Sequence, residues 1–178
     1  GQIRISPLTD PPATAKFVFE ALRRLDKEAN VMTYPEQFYV NGVSFTCIWP
    51  SEIIQGQGSD ANNASVALAV VVDELSILLA GDIEPPAQEK IARNLPPMDF
   101  DVIKVAHHGS RYQSSDFAKW ANAEIAFISA GKNNGYGHPA PETISLYELS
   151  GSKVFRTDLS GDLAVIAEES QIRVATRR

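Results

Sequence analysis

A chain of 178 residues with 44% hydrophobic and 21% charged side chains has the make-up of a globular domain expected to be soluble, and its formal charge of −6 argues against a broad basic surface that would hold nucleic acid by counterion release. No apolar run approaches the roughly 20 residues that span a bilayer, and the N-terminus lacks the basic-then-apolar pattern of a signal peptide. The one cysteine, Cys47, excludes an internal disulfide and a cysteine-based zinc cluster, and it reads as a small buried hydrophobe. A first residue of Gly1 rather than Met suggests a piece of a longer protein.

Residues 2–5 read as a short strand, and the segment from Thr9 to Asn30 reads as a helix. Asp10 is its expected N-cap, proline occupies the first turn, and Val18, Leu22, Leu25 and Ala29 fall on one face. The stretch QFYVNGVSFTCIWP is a hairpin signal, with Asn41-Gly42 between two aromatic and β-branched arms. A loop rich in glycine and polar residues follows, then SVALAVVVDELSILLAGD, two apolar runs parted by Asp73-Glu74 as in adjacent core strands. From there helices and strands alternate: PPAQEKIARNL helical, DVIKVA a strand, SSDFAKWAN helical, EIAFISAG a strand, APETISLYEL helical. KVFRT, LAVIAE and IRVAT are strands. Hairpins beside βαβ steps predict an α/β layered sandwich with a mixed sheet.

Three strand ends carry unusual residues. LLAGD ends at Asp82, IKVAHHGS at His107 and His108, and FISAGKNNGYGHP runs through a glycine-rich loop to His138. If these strands are parallel, right-handed crossovers bring all three ends to one sheet edge, where an acid meets every histidine of the chain. Carboxylate oxygen and neutral imidazole are what a hard or borderline cation takes. Each residue has a plainer reading: Asp82 as cap of the next helix, His138 as a loop residue, Ser110 as an N-cap rather than a hydrogen-bond partner of the site. Asn62, Asn63 and Ser65 read as turn residues that could instead line the site. Lys132, Asn133, Asn134 and Tyr136 form a polar loop with donors suited to phosphate or sugar. In a regular strand His107 and His108 would point to opposite faces, so one would be a ligand and the other would pack.

The succession NNAS, LLAGD, VIKVAHHGSRYQSS, ISAGKNNGYGHP and VFRTDLSGDLAV resembles the C-terminal metallo-β-lactamase-fold domain of ComEC-type competence proteins, the membrane channels of bacterial DNA uptake. HHGS after a strand, with GD about 25 residues before it and GHP about 30 after, is the specific part of the signal. The resemblance implies an αββα sandwich of mixed sheets, here one partial domain over residues 1–178. It implies a divalent metal centre of zinc or manganese, with Asp82 bridging two ions and a histidine of the HHGS as ligand. Asp82, His107 and His108 are then the metal candidates, and Asp82, His108 and His138 the catalytic ones. His138 would act as a further ligand or a proton donor, and Asn63, Ser65, Ser110 and Asn134 would bind substrate.

By the same resemblance the substrate is DNA, with the strand that is not transported hydrolysed at an extracytoplasmic face, and the partners are single-stranded DNA and the transmembrane channel part of the same protein. An open sheet edge would allow a homo-oligomer. The family's His-x-His-x-Asp-His motif has no match among the three histidines of this chain, so the fold is expected to be incomplete at its N-terminus. The chain alone is expected to bind metal weakly and hydrolyse little. The rival readings are a related metallo-hydrolase of another phosphodiester or small ester, and a non-catalytic binding or scaffolding module.

Overall fold

In the computed structural model, which describes residues 2–168 and 171–177, the N-terminal segment forms β1 (Ile3–Ile5), α1 (Pro12–Arg24) and β2 (Ala29–Val31), with β1 parallel to β2. The helix is shorter than its pattern predicts. Pro11 stands at the N-cap in extended backbone with no side-chain cap, so Asp10 does not cap it. Asp26 takes a positive φ of 50° beyond its end, and Ala29 belongs to β2 rather than to the helix face.

The hairpin forms as read, from β3 (Gln37–Val40) and β4 (Val43–Trp49). Asn41 and Gly42 both take positive φ, 49° and 85°, as a two-residue turn matched to strand twist requires. The glycine-rich loop contains one short helix, α2 (Asp60–Asn63), with Ser59 accepting a hydrogen bond from the Asn62 amide. There follow β5 (Ala67–Val72), β6 (Leu75–Leu79), α3 (Pro85–Asn94), β7 (Val102–Lys104), α4 (Ser115–Ala121), β8 (Ile125–Ile128), α5 (Pro141–Leu149) and β9 (Lys153–Arg156). The chain closes with the short α6 (Thr157–Ser160), then β10 (Asp162–Glu168) and β11 (Gln171–Arg177).

Strands β3 to β9 form a seven-stranded sheet in sequence order. β3 to β6 run antiparallel as a meander, and β6 to β9 run parallel. Helices α3, α4 and α5 are the crossovers between the parallel strands, and they cover one face, where Leu78, Ile103 and Ala126 pack with Ile91, Phe117, Trp120 and Tyr147. On the other face Leu75, Val102 and Ile125 meet Val165, Ile172 and Val174 of the β10–β11 pair. The described residues therefore make a helix layer, a large mixed sheet and a two-stranded second sheet.

Candidate functional site at the parallel edge

The parallel run from β6 to β9 decides where the chemistry sits. All four strands end on one edge, which receives Asp82 after β6, His107 and His108 after β7, Ser129 after β8 and Thr157 after β9. The convergence expected of Asp82 with the histidines is observed.

The histidine pair is not part of a strand. β7 stops at Lys104, and His107 (φ 48°), His108 (φ 53°) and Gly109 (φ 74°) lie in succession in left-handed backbone. Alternation therefore does not apply, and both rings reach the same site instead of opposite faces. Left-handed backbone costs a non-glycine residue about 1–2 kcal/mol, so the surroundings must hold the turn. The His107 amide donates to the Gly81 carbonyl at 3.1 Å, the Ser110 amide donates to the His107 carbonyl at 2.8 Å, and the Ala140 amide donates to the Gly109 carbonyl at 2.8 Å. Gln113 Nε2 donates to the carbonyls of Ala106 and Ser110, each at 3.1 Å. A methyl group on Gly109 would stand 2.8 Å from Pro139 Cβ and 3.0 Å from Ile128 Cγ2, so only glycine lets the turn close against β8 and the residues before α5.

Within this frame the two rings have different surroundings. His108 is half exposed, with Nδ1 2.8 Å from the Ser129 carbonyl and Nε2 3.8 Å from Asp82 Oδ1. A proton on Nδ1, donated to that carbonyl, leaves the Nε2 lone pair facing the carboxylate, which is how a ligand imidazole is oriented. His107 Nδ1 is buried without a hydrogen bond and lies 3.7 Å from Glu84 Oε1. Its ring meets the edge of His138 at a centroid distance of 5.5 Å.

Two charged residues were not anticipated. Lys104 Nζ donates to the Gly81 carbonyl at 3.2 Å and stands 3.7 Å from Asp82 Oδ1, the same oxygen that faces His108. Burial pushes its pKa down, and the Asp82 carboxylate partly restores it. The signal for it was a lysine inside the otherwise apolar VIKVA. Glu84, almost fully buried, accepts from the Ser59 amide at 2.9 Å and from Asn62 Nδ2 at 2.9 Å, and so ties α2 to the site. It is the N-cap residue of α3, so the capping reading of Asp82 does not hold. His138 has its pKa lowered first by burial and then by His107, His108 and Arg111, with Asp82 opposing.

The four polar candidates lie around this cluster in different ways. Asn63 is completely buried: its Oδ1 accepts from the Glu84 amide at 3.2 Å and its Nδ2 donates to the Gln57 carbonyl at 2.7 Å. Ser65 packs over Gly81, where an added Cβ would meet Ser65 Cβ at 2.9 Å. Ser110 is 1% exposed and is the N-cap of no helix; its carbonyl accepts from Thr143 Oγ1 at 2.6 Å, and the N-cap of α4 is Ser114. Asn134 ties its own loop, with Nδ2 donating to the carbonyls of Gly131 (2.8 Å) and His138 (2.6 Å) and Oδ1 accepting from the His138 amide (3.1 Å).

The separation of Asp82 Oδ1 and His108 Nε2 suits two ligands of one ion bound at about 2.0–2.2 Å from each. A zinc shell takes about four ligands, and among the described residues no group of three or more histidine, cysteine, aspartate or glutamate side chains is arranged to hold a metal. The donors of this chain therefore do not by themselves fit the dinuclear centre that the motifs imply. Lys104 is the second group, beside His108, to face Asp82 Oδ1, and its ammonium competes there with any bound cation.

The fold defines a mixed α/β protein. It resembles a crystal structure from Parabacteroides distasonis, of a protein assigned as a metal-dependent hydrolase, with a TM-score of 0.54 over 88% of this chain and 76% of that one at 16% identity. The α/β class with a mixed sheet expected from the motifs holds. In sequence the chain is 35% identical over 103 residues to ComE operon protein 3 of Bacillus subtilis, covering 57% of this chain and 13% of that protein. It is 33% identical over 125 residues to competence protein ComA of Neisseria gonorrhoeae, covering 69% of this chain and 18% of that protein. The chain is thus a homologue of one segment of the ComEC-type competence proteins, as its motifs indicate. It spans less than a fifth of the length of these relatives. No family model matches it. No helix among the described residues is long and apolar enough to cross a membrane.

Proposed function

We propose that this chain carries the C-terminal share of a phosphodiester-cleaving site in a DNA-uptake protein, acting on single-stranded DNA at the extracytoplasmic face of the membrane that holds the protein's channel. The observation that carries the reading is the pairing of Asp82 Oδ1 with the free Nε2 of His108, its other nitrogen fixed on the Ser129 carbonyl. The metal that the family implies would supply charge neutralisation and an acidified water. Asp82 and His108 would be two of the residues to hold it, a pair that does not by itself complete a centre. With only that pair supplied, the chain alone is expected to bind metal weakly and cleave little.

The other side chains bind and orient. The Lys104 ammonium, close to Asp82, draws a phosphate oxygen toward the pair. His107, held between Glu84 and His138, supports the cluster, and the reading gives the ligand role to His108. His138 is the candidate to carry a proton at the leaving oxygen.

Elemental analysis of the purified chain tests the reading. Sub-stoichiometric zinc or manganese is expected, lost in Asp82→Ala and in His108→Ala and kept in His107→Ala. Metal retained undiminished in Asp82→Ala would overturn the assignment. The incomplete donor set also supports a non-catalytic module; absence of both metal and DNA binding in the unaltered chain would favour it.

A further inference from the structure

We propose that the cavity beside His108 is a nucleobase subsite in which Tyr136 is the stacking platform, so that the substrate is recognised as a base-bearing single strand rather than by its phosphates alone. The inference rests on the phosphodiester reading of the Asp82–His108 pair and names what lies next to the phosphate.

The cavity has a volume of about 410 Å³, within the range of small-molecule sites, and opens against the His108 ring. Its floor is the backbone after β8, Ser129 to Gly131, and Tyr136 with His138 form a wall. The Tyr136 ring is 86% exposed and lies nearly parallel to His138, 18° between planes and 6.0 Å between centroids. One aromatic face thus rests on the cluster while the residue stays open to an incoming ring.

The loop that carries Tyr136 is held rather than free. Asn134 bonds to both Gly131 and His138 and closes the segment on itself, so the platform sits at a fixed height relative to the imidazoles. The floor offers little directional chemistry. The Thr157 hydroxyl is committed to the Ala130 amide at 2.8 Å and to the Ala130 carbonyl at 2.9 Å. A site built from a ring face and satisfied backbone accepts any base by stacking and does not read its edge. That matches a strand of arbitrary sequence. Lys104, Arg111 and Lys132 belong to the strand end and loops that frame the cluster, beside the carboxylates of Asp82 and Glu84.

Binding of the chain to a short 5′-labelled oligothymidylate and to an abasic strand of the same length, followed by fluorescence anisotropy at low salt, tests the proposal. The base-bearing strand is expected to bind about tenfold tighter, the scale of stacking one base on an aromatic side chain. Tyr136→Ala should erase that preference while circular dichroism stays unchanged, and Tyr136→Phe should keep it. Equal affinity for the two strands, a preference that survives Tyr136→Ala, or no binding of either strand would overturn the subsite. Lys104→Ala separates the two readings. If it weakens both strands while they bind equally, the phosphate site stands and the base subsite falls. If it changes neither strand while the Tyr136-dependent preference persists, the base subsite stands and the phosphodiester reading falls.

Discussion

The two faces of the seven-stranded sheet are built to different depths. Under α3, α4 and α5 the residues Leu78, Ile103, Ala126 and Ile128 have no exposed surface, and neither do Ala87, Phe117 and Ala121 above them. On the opposite face Leu75, Val102 and Ile125 are buried, but the β10–β11 residues that cover them, Val165, Ile172 and Val174, are only half buried, and Ile166 beyond them is 38% exposed. A helix layer excludes water on both its own inner side and the sheet, whereas a two-stranded ribbon shields only what lies under it. The same apolar side chain therefore contributes more on the helix side, because removing it there leaves a cavity that cannot refill with solvent.

Truncation on each face is the sharpest way to break that contrast. Phe117→Ala is expected to cost about 3–5 kcal/mol and Val165→Ala about 1 kcal/mol in urea unfolding; equal losses would mean that the ribbon packs as deeply as the helices. A smaller effect probes where the helix side meets the site. Gly109→Ala, at φ 74° and against Pro139 and Ile128, should cost about 2 kcal/mol and weaken any ligand of His108, since the histidine turn must move. A wild-type midpoint with unchanged metal uptake would show that the turn is not held by that contact.

Tyr147 sharpens the comparison in the other direction. Its hydroxyl is buried in the helix-side core with no hydrogen-bond partner among the described residues. Tyr147→Phe should therefore raise stability by about 1 kcal/mol. Burial also raises its pKa above the ordinary value of 10.0. The folded state thus resists ionisation that the unfolded chain undergoes, and the stability tied to the neutral phenol is complete below pH 10 and lost as pH rises above it. Denaturant midpoints from pH 8 to 11 should fall more steeply for the unaltered chain than for Tyr147→Phe, and parallel curves would contradict this. The smallest effect is chemical. Cys47 is fully buried with a thiol pKa raised by that burial, so alkylation in buffer should run at least about tenfold slower than in urea.

Much of the fold was legible because its signals are local. Asn41-Gly42 fixed the first hairpin, Asp73-Glu74 the second turn, and the pattern SSDFAKWAN marked α4, though its cap is Ser114 and not Ser110. The N-terminal helix was misjudged at both ends, because Pro11 takes the cap position from Asp10 and a left-handed Asp26 ends the helical path; neither leaves a trace in hydrophobic spacing. The candidate site was legible as a list, Asp82, His107, His108 and His138, but not as a geometry. Treating VIKVAHH as one strand assigned the two histidines to opposite faces, while the turn at Val105–Ala106 and three left-handed residues turn both inward. Glu84 and Lys104 were passed over because a carboxylate before two prolines and a lysine in a strand are ordinary in sequence. They matter only once β6 and β7 lie side by side.

By itself the sequence determined the alternation of strands and helices, the apolar runs that a doubly covered parallel sheet demands, and the list Asp82, His107, His108 and His138 at the strand ends. These follow from composition and short-range periodicity, which the backbone reads within a few residues. Only the tertiary structure decided that β6 to β9 run parallel, that His108 rather than His107 faces Asp82, and that the Asn63 side chain is taken by the Glu84 amide. Each of those depends on which strand ends come to one edge and which hydrogen bonds are already taken, and contacts of that kind, between residues some 20 or more positions apart, have no local signature.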